Sequence, residues 1–181
     1  PLIKQELPTG HYGVLVHREN YLAKRIDFAV ESHLTNLFNV ALTSVTLWGV
    51  PTSGNVLSVP ATADLDGDGV ADVVAGDDEG NIYCFSGRSG YTRWVYKTQD
   101  AVQSPVSLSD VDHDGRADVF VGSTDKSLYC LDGRTGRQLW KFDTQGAILG
   151  PTLLKDVTGD GVPDAFFGSA DGYLYAVSGV Q

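Results

Sequence analysis

The chain has 181 residues, 42% of them hydrophobic and 20% charged, with 13 Lys and Arg against 23 Asp and Glu. That length suits one domain with a sizeable core, and the composition excludes a disordered or collagen-like chain. A net charge of −10 argues against a nucleic-acid or anionic-membrane partner, and no apolar run approaches the ~20 residues of a membrane span, so no membrane insertion is expected. Two cysteines cannot build a disulfide framework, and the chain holds no methionine, which predicts a processed product or a fragment.

A fixed period organises the chain. Trp48, Trp94 and Trp140 lie 46 residues apart, as do Asp72, Asp118 and Asp164, Gly76, Gly122 and Gly168, Tyr83, Tyr129 and Tyr175, and Gly87, Gly133 and Gly179. Each column asks for a residue with a physical role: a turn, a buried aromatic or a carboxylate. Within one period, short β-branched and aromatic runs alternate with Gly/Asp turns, which is the spacing of a four-stranded propeller blade. The expected fold is an all-β propeller, and residues 1–181 are expected to form a single propeller domain or a propeller segment.

In chain order, residues 1–47 come first and keep the period least well. Two readings stand there. Tyr12–Val16 and Asn36–Val40 overlie strands of the later units, which predicts a degenerate first blade lacking the acidic loop. Leu22, Ile26, Ala29, Val30, His33, Leu34 and Leu37 recur at helical spacing, which predicts a helix within 19–35. Residues 2–7 fall four periods before the missing last strand, so they could close a four-bladed ring or exchange with a neighbour. Residues 48–181 then carry three repeats. In the second, strands are predicted at Pro105–Ser109, Ala117–Gly122, Ser127–Leu131 and Gln138–Phe142, with the turn Asp132–Gly136 between the last two. Cys84 and Cys130 share one column, filled by Ala176 in the last repeat, and read as small buried apolar residues.

The strongest chemical motif is the loop Asp64-Leu-Asp-Gly-Asp-Gly-Val-Ala-Asp72, repeated at 110–118 and 156–164. Alternate positions carry oxygen side chains, the sixth is glycine, and the ninth returns a carboxylate. Such a loop can wrap Ca²⁺, which takes ~6–8 oxygen ligands at flexible geometry. The expected ligands are Asp64, Asp66, Asp68, the Val70 carbonyl and Asp72; Asp110, Asp112, Asp114, the Arg116 carbonyl and Asp118; and Asp156, Thr158, Asp160, the Val162 carbonyl and Asp164. About three Ca²⁺ per chain are expected, the third bound more weakly because Thr158 replaces a carboxylate. An EF-hand is excluded because Ala75, Val121 and Phe167 stand where its Glu would be. The loops hold eleven of the 23 acidic residues, and three bound Ca²⁺ would move the charge from −10 to −4.

These loops, with Asp164-Ala-Phe-Phe-Gly168 and Gly150-Pro151, resemble the FG-GAP repeats of integrin-alpha-like propellers. That resemblance implies calcium bound on the face away from a ligand site. The second half of each unit, Ser127 to Trp140, is similar to the tryptophan-docking repeat of quinoprotein dehydrogenases, where the Trp packs between blades. The expected function is a non-enzymatic calcium-binding module recognising an extracellular protein or carbohydrate ligand. The alternatives are a structural subunit self-assembling through its N-terminal strand, and a propeller part of a quinoprotein or polysaccharide-degrading enzyme. Calcium implies an extracellular, cell-surface or periplasmic location. No catalytic elbow or metalloprotease motif is present, so no catalytic residue is expected.

Overall fold

The computed structural model describes residues 10–16, 24–30 and 46–179. Every regular element among them is a strand. The chain divides into two compact units, with the division between Gly49 and Val50.

The first unit contributes a hairpin, β1 (Gly10–Val16) and β2 (Lys24–Val30), paired antiparallel from Gly10 opposite Val30 to Val16 opposite Lys24. The helix expected within 19–35 is therefore replaced by strand over 24–30. The apolar stripe that suggested it serves a two-residue period equally well. Arg25, Asp27 and Ala29 alternate with Ile26, Phe28 and Val30, and the first three are exposed. Arg25 and Asp27, two residues apart on one face, form an ion pair at 2.9 Å. The predicted strand at 36–40, the ring-closing segment at 2–7, and His17 and His33 lie outside the described residues. His11 is exposed.

The second unit is three antiparallel sheets in series. The first comprises β3 (Ala61–Ala63), β4 (Asp72–Gly76), β5 (Asn81–Phe85) and β6 (Thr92–Lys97). The second comprises β7 (Ser107–Ser109), β8 (Asp118–Gly122), β9 (Ser127–Leu131) and β10 (Gln138–Asp143). Both run in simple sequential order. The third has β11 (Leu153–Lys155), β12 (Asp164–Gly168) and β13 (Leu174–Val177), and no outer strand among the described residues. These are blades of an all-β propeller, and among the described residues they do not close into a ring.

The blades are held face to face by two apolar clusters. One joins Leu65, Val74, Ile82, Cys84 and Trp94 of the first blade to Val119, Val121, Tyr129 and Leu131 of the second. The other joins Val111, Phe120, Leu128, Cys130 and Trp140 of the second to Val162, Ala165, Phe167 and Val177 of the third. Most of the same repeat columns supply both, so a period in sequence becomes a repeated joint in space. Cys84 and Cys130 are free and buried, as their column predicts; burial pushes the Cys84 thiol up to about 12.

Glycines set how closely the blades approach. A Cβ on Gly76 would stand 2.1 Å from Val102 Cγ1, and one on Gly122 would stand 2.3 Å from Ile148 Cγ2. Trp94 crosses to the second blade, where its indole N–H donates to the Gly133 carbonyl at 2.9 Å and its ring lies against Gly136.

Candidate functional site

The acidic loops lead from the inner strand to the second strand of each blade. Each is wound from side-chain-to-backbone hydrogen bonds, the habit that makes Asp a turn former. At the first position, Asp64 accepts from the amides of Gly67 (2.7 Å), Asp68 (3.2 Å) and Gly69 (2.9 Å). Asp156 does the same with Gly159 (2.6 Å) and Gly161 (3.0 Å), and Asp110 accepts from Gly115 (3.0 Å). Against the cost of desolvation, those amides and the charge of Arg116 hold the Asp64 carboxyl below its usual range. Asp68, Asp114 and Asp160 each accept from the amide two residues on.

The fourth position has left-handed backbone: Gly67 at φ 81°, His113 at 61° and Gly159 at 79°. His113 is the one residue of the three that bears a side chain there, and that side chain is exposed. This explains why the column otherwise holds glycine.

The ninth-position carboxylates are buried at the base of each loop: Asp72 is 1% exposed, Asp118 2% and Asp164 3%. Asp118 ties the loop to the turn after the third strand, accepting from Val111 N at 3.0 Å and Gly133 N at 3.2 Å. Asp72 makes the equivalent bonds to Leu65 and Gly87, and Asp164 accepts from Val157 and Thr158. The tie forces glycine at 87, 133 and 179, where a Cβ would fall within 2.2 Å of the carbonyl of Ala71, Ala117 or Pro163.

Carboxylate oxygens of Asp64, Asp66 and Asp72 lie within 4.8 Å of one another, as do those of Asp110, Asp112 and Asp118. Asp68 and Asp114 stand outside these groups, spent on backbone amides. The third loop brings no three carboxylates together, because Thr158 stands where the others have Asp66 and Asp112.

The two clusters differ in electrostatics. In the first loop, Arg93 of β6 donates to Asp72 at 2.9 Å and pairs with Asp66, with Asp68 at 4.0 Å. Arg116 reaches over from the second loop to the Leu65 carbonyl at 3.2 Å. In the second loop the column of Arg93 is Leu139, and the column of Arg116 is Val162. Burial pushes the Asp118 carboxyl up to about 6, against the pull of the Val111 and Gly133 amides and with the repulsion of Asp112 and Asp110. One Asp110 oxygen is buried without a hydrogen-bond partner. Sequence reading missed Arg93; the signal was the change from Arg to Leu beside a fixed tryptophan.

A second latch also escaped the sequence reading. Tyr129 donates to Asp125 at 2.6 Å and Tyr175 to Asp171 at 2.9 Å. The same Asp125 and Asp171 oxygens accept the backbone amides of Gln99 and Gln145, each at 2.9 Å. The tyrosine column is therefore part of the joint between blades.

The third blade presents an open face. Leu153, Val157 and Leu174 are 65%, 63% and 78% exposed, whereas the Val157 column is buried as Leu65 and Val111, and the Leu174 column as Ile82 and Leu128. A Cβ on Gly168 would meet nothing within 4 Å.

A repeat of this kind has known relatives. The model of the family described as outer membrane protein assembly factor BamB matches residues 43–155 and 78–180. The chain belongs to this family. BamB from Moraxella catarrhalis superposes with a TM-score of 0.58 at 19% identity, over 77% of this chain and 39% of that one. Quinohemoprotein alcohol dehydrogenase from Comamonas testosteroni gives a TM-score of 0.51 at 22% identity, over 70% of this chain and 20% of that one. The chain spans less than half the length of either, and at these identities the likeness is one of fold. No curated protein sequence matches.

The family overturns the FG-GAP, integrin-like assignment and, with it, the calcium-binding adhesion module. That assignment leaned on the acidic loop with Asp164–Gly168 and Gly150-Pro151, short stretches of a 46-residue period. The BamB-type match runs through whole repeats, including the tryptophan, tyrosine and glycine columns that join the blades.

Proposed function

We propose that this chain is a segment of a BamB-type propeller that works by docking other proteins, outside the cytoplasm and in the setting of outer-membrane protein assembly. The family match over residues 43–180 carries this reading. Its chemistry is non-enzymatic. Asp118 accepts two backbone amides, the Tyr129 hydroxyl donates to Asp125, and the cysteines pack in the core. The partner is a protein, and recognition belongs to loops on a rigid scaffold. A photo-crosslinking residue at Tyr91, which is 74% exposed, tests this in the native host. Crosslinks to outer-membrane assembly components are expected. Binding of pyrroloquinoline quinone with dye-coupled alcohol oxidation, and no such crosslinks, would overturn it.

Ca²⁺ belongs to this proposal at the second loop alone, with Asp110, Asp112 and Asp118 as the candidate ligands. There the carboxylates have no guanidinium among them, and a buried Asp110 oxygen lacks a partner.

A further inference from the structure

We propose that the first acidic loop carries its own cation: the Arg93 guanidinium, lent by β6, takes the place a divalent ion would hold, so this loop binds no metal. Three observations converge. Arg93 engages Asp66 and Asp72 together and comes within 4.0 Å of Asp68, so one planar group spans three of the five expected ligands. Its side chain is only 23% exposed and Asp72 1%, so the pair is largely withdrawn from water. A fork of donors matched to carboxylates is what a guanidinium supplies and an ammonium does not. Arg116 adds a second positive charge from the neighbouring blade, bonded to the loop at Leu65.

The second blade is the internal control. It has the same loop, the same buried ninth-position Asp and the same tryptophan, with Leu139 for Arg93 and Val162 for Arg116. Two copies of one motif thus differ in whether a side-chain cation sits among the carboxylates. In the first, a covalently tethered cation also ties the outer strand to the loop across the blade, a link that no chelator can remove.

The inference does not depend on whether the second loop binds metal, nor on the docking function. The test is a Ca²⁺ titration of the chelator-stripped ¹⁵N-labelled chain, read at the amides of Gly67 and Gly69. In the unsubstituted protein these signals stay fixed to millimolar Ca²⁺. In Arg93→Leu, which copies the residue of the second blade, they shift and saturate, and Ca²⁺ restores the melting temperature lost with the arginine. Saturable shifts in the unsubstituted protein, or a folded Arg93→Leu that stays silent, overturn the proposal. Should Arg93→Leu fail to fold, Arg93→Gln decides, read at the same two amides: saturable Ca²⁺-dependent shifts support the proposal, and signals that stay fixed overturn it.

Discussion

Asp118 concentrates the electrostatic cost of the second loop. Its carboxyl is buried, and burial together with Asp112 and Asp110 raises its affinity for a proton to about 6 in the folded chain. The unfolded value is near 4. The folded state therefore binds the proton more tightly. Stability from this group is fully present below about pH 4 and is lost as pH rises through about 6, a change on the order of 3 kcal/mol. In chelator, the melting temperature of the unsubstituted chain should fall across that window more steeply than that of Asp118→Asn. Parallel curves would mean that the two amides bonded to Asp118 already offset its burial.

At the scale of the element, the blade is specified by where it must let a neighbour in. Gly122 lies under Ile148, and its Cβ would clash at 2.3 Å; Gly168 faces open space. Neither has a positive φ, so any cost of a methyl group there is one of packing. Gly122→Ala should lower stability by about 1–3 kcal/mol, as overpacking does. Gly168→Ala should leave it unchanged or slightly raised, because alanine lowers the entropy of the unfolded chain. Denaturant unfolding of the two variants decides. Equal losses would mean that column 122 and 168 serves the strand and not the joint. The glycine column was legible as a period, but its reason was not. A sequence shows that a side chain is absent, and only the neighbouring blade shows what fills the space.

At the largest scale, within the second unit, the third blade exposes columns that the other two blades bury. Leu128 is fully buried and Leu174, one period later, is 78% exposed. Leu128→Lys should unfold the second unit, since it buries an unpaired charge. Leu174→Lys should change stability by less than ~0.5 kcal/mol, the range of ordinary surface substitutions. Thermal melting of both variants measures the difference. A large loss at 174 would show that this face is covered in solution, and would favour a further layer of like chemistry seated on it.

Periodicity, by itself, determined the repeat, the blades, the tyrosine and tryptophan columns and the Asp/Gly loops, because each requirement recurs at a fixed spacing and needs no distant partner to be recognised. It left residues 19–35 open between helix and strand, since a short apolar stripe satisfies both periods; pairing with β1 decided for strand over 24–30. It also made the three loops look alike. Only the tertiary structure separated them, because charge balance depends on what lies near in space. Arg93 sits 21 residues from Asp72 in sequence and 2.9 Å away in the fold, whereas the second loop has a leucine at that place. The family match, too, spans whole repeats, far more than a nine-residue motif.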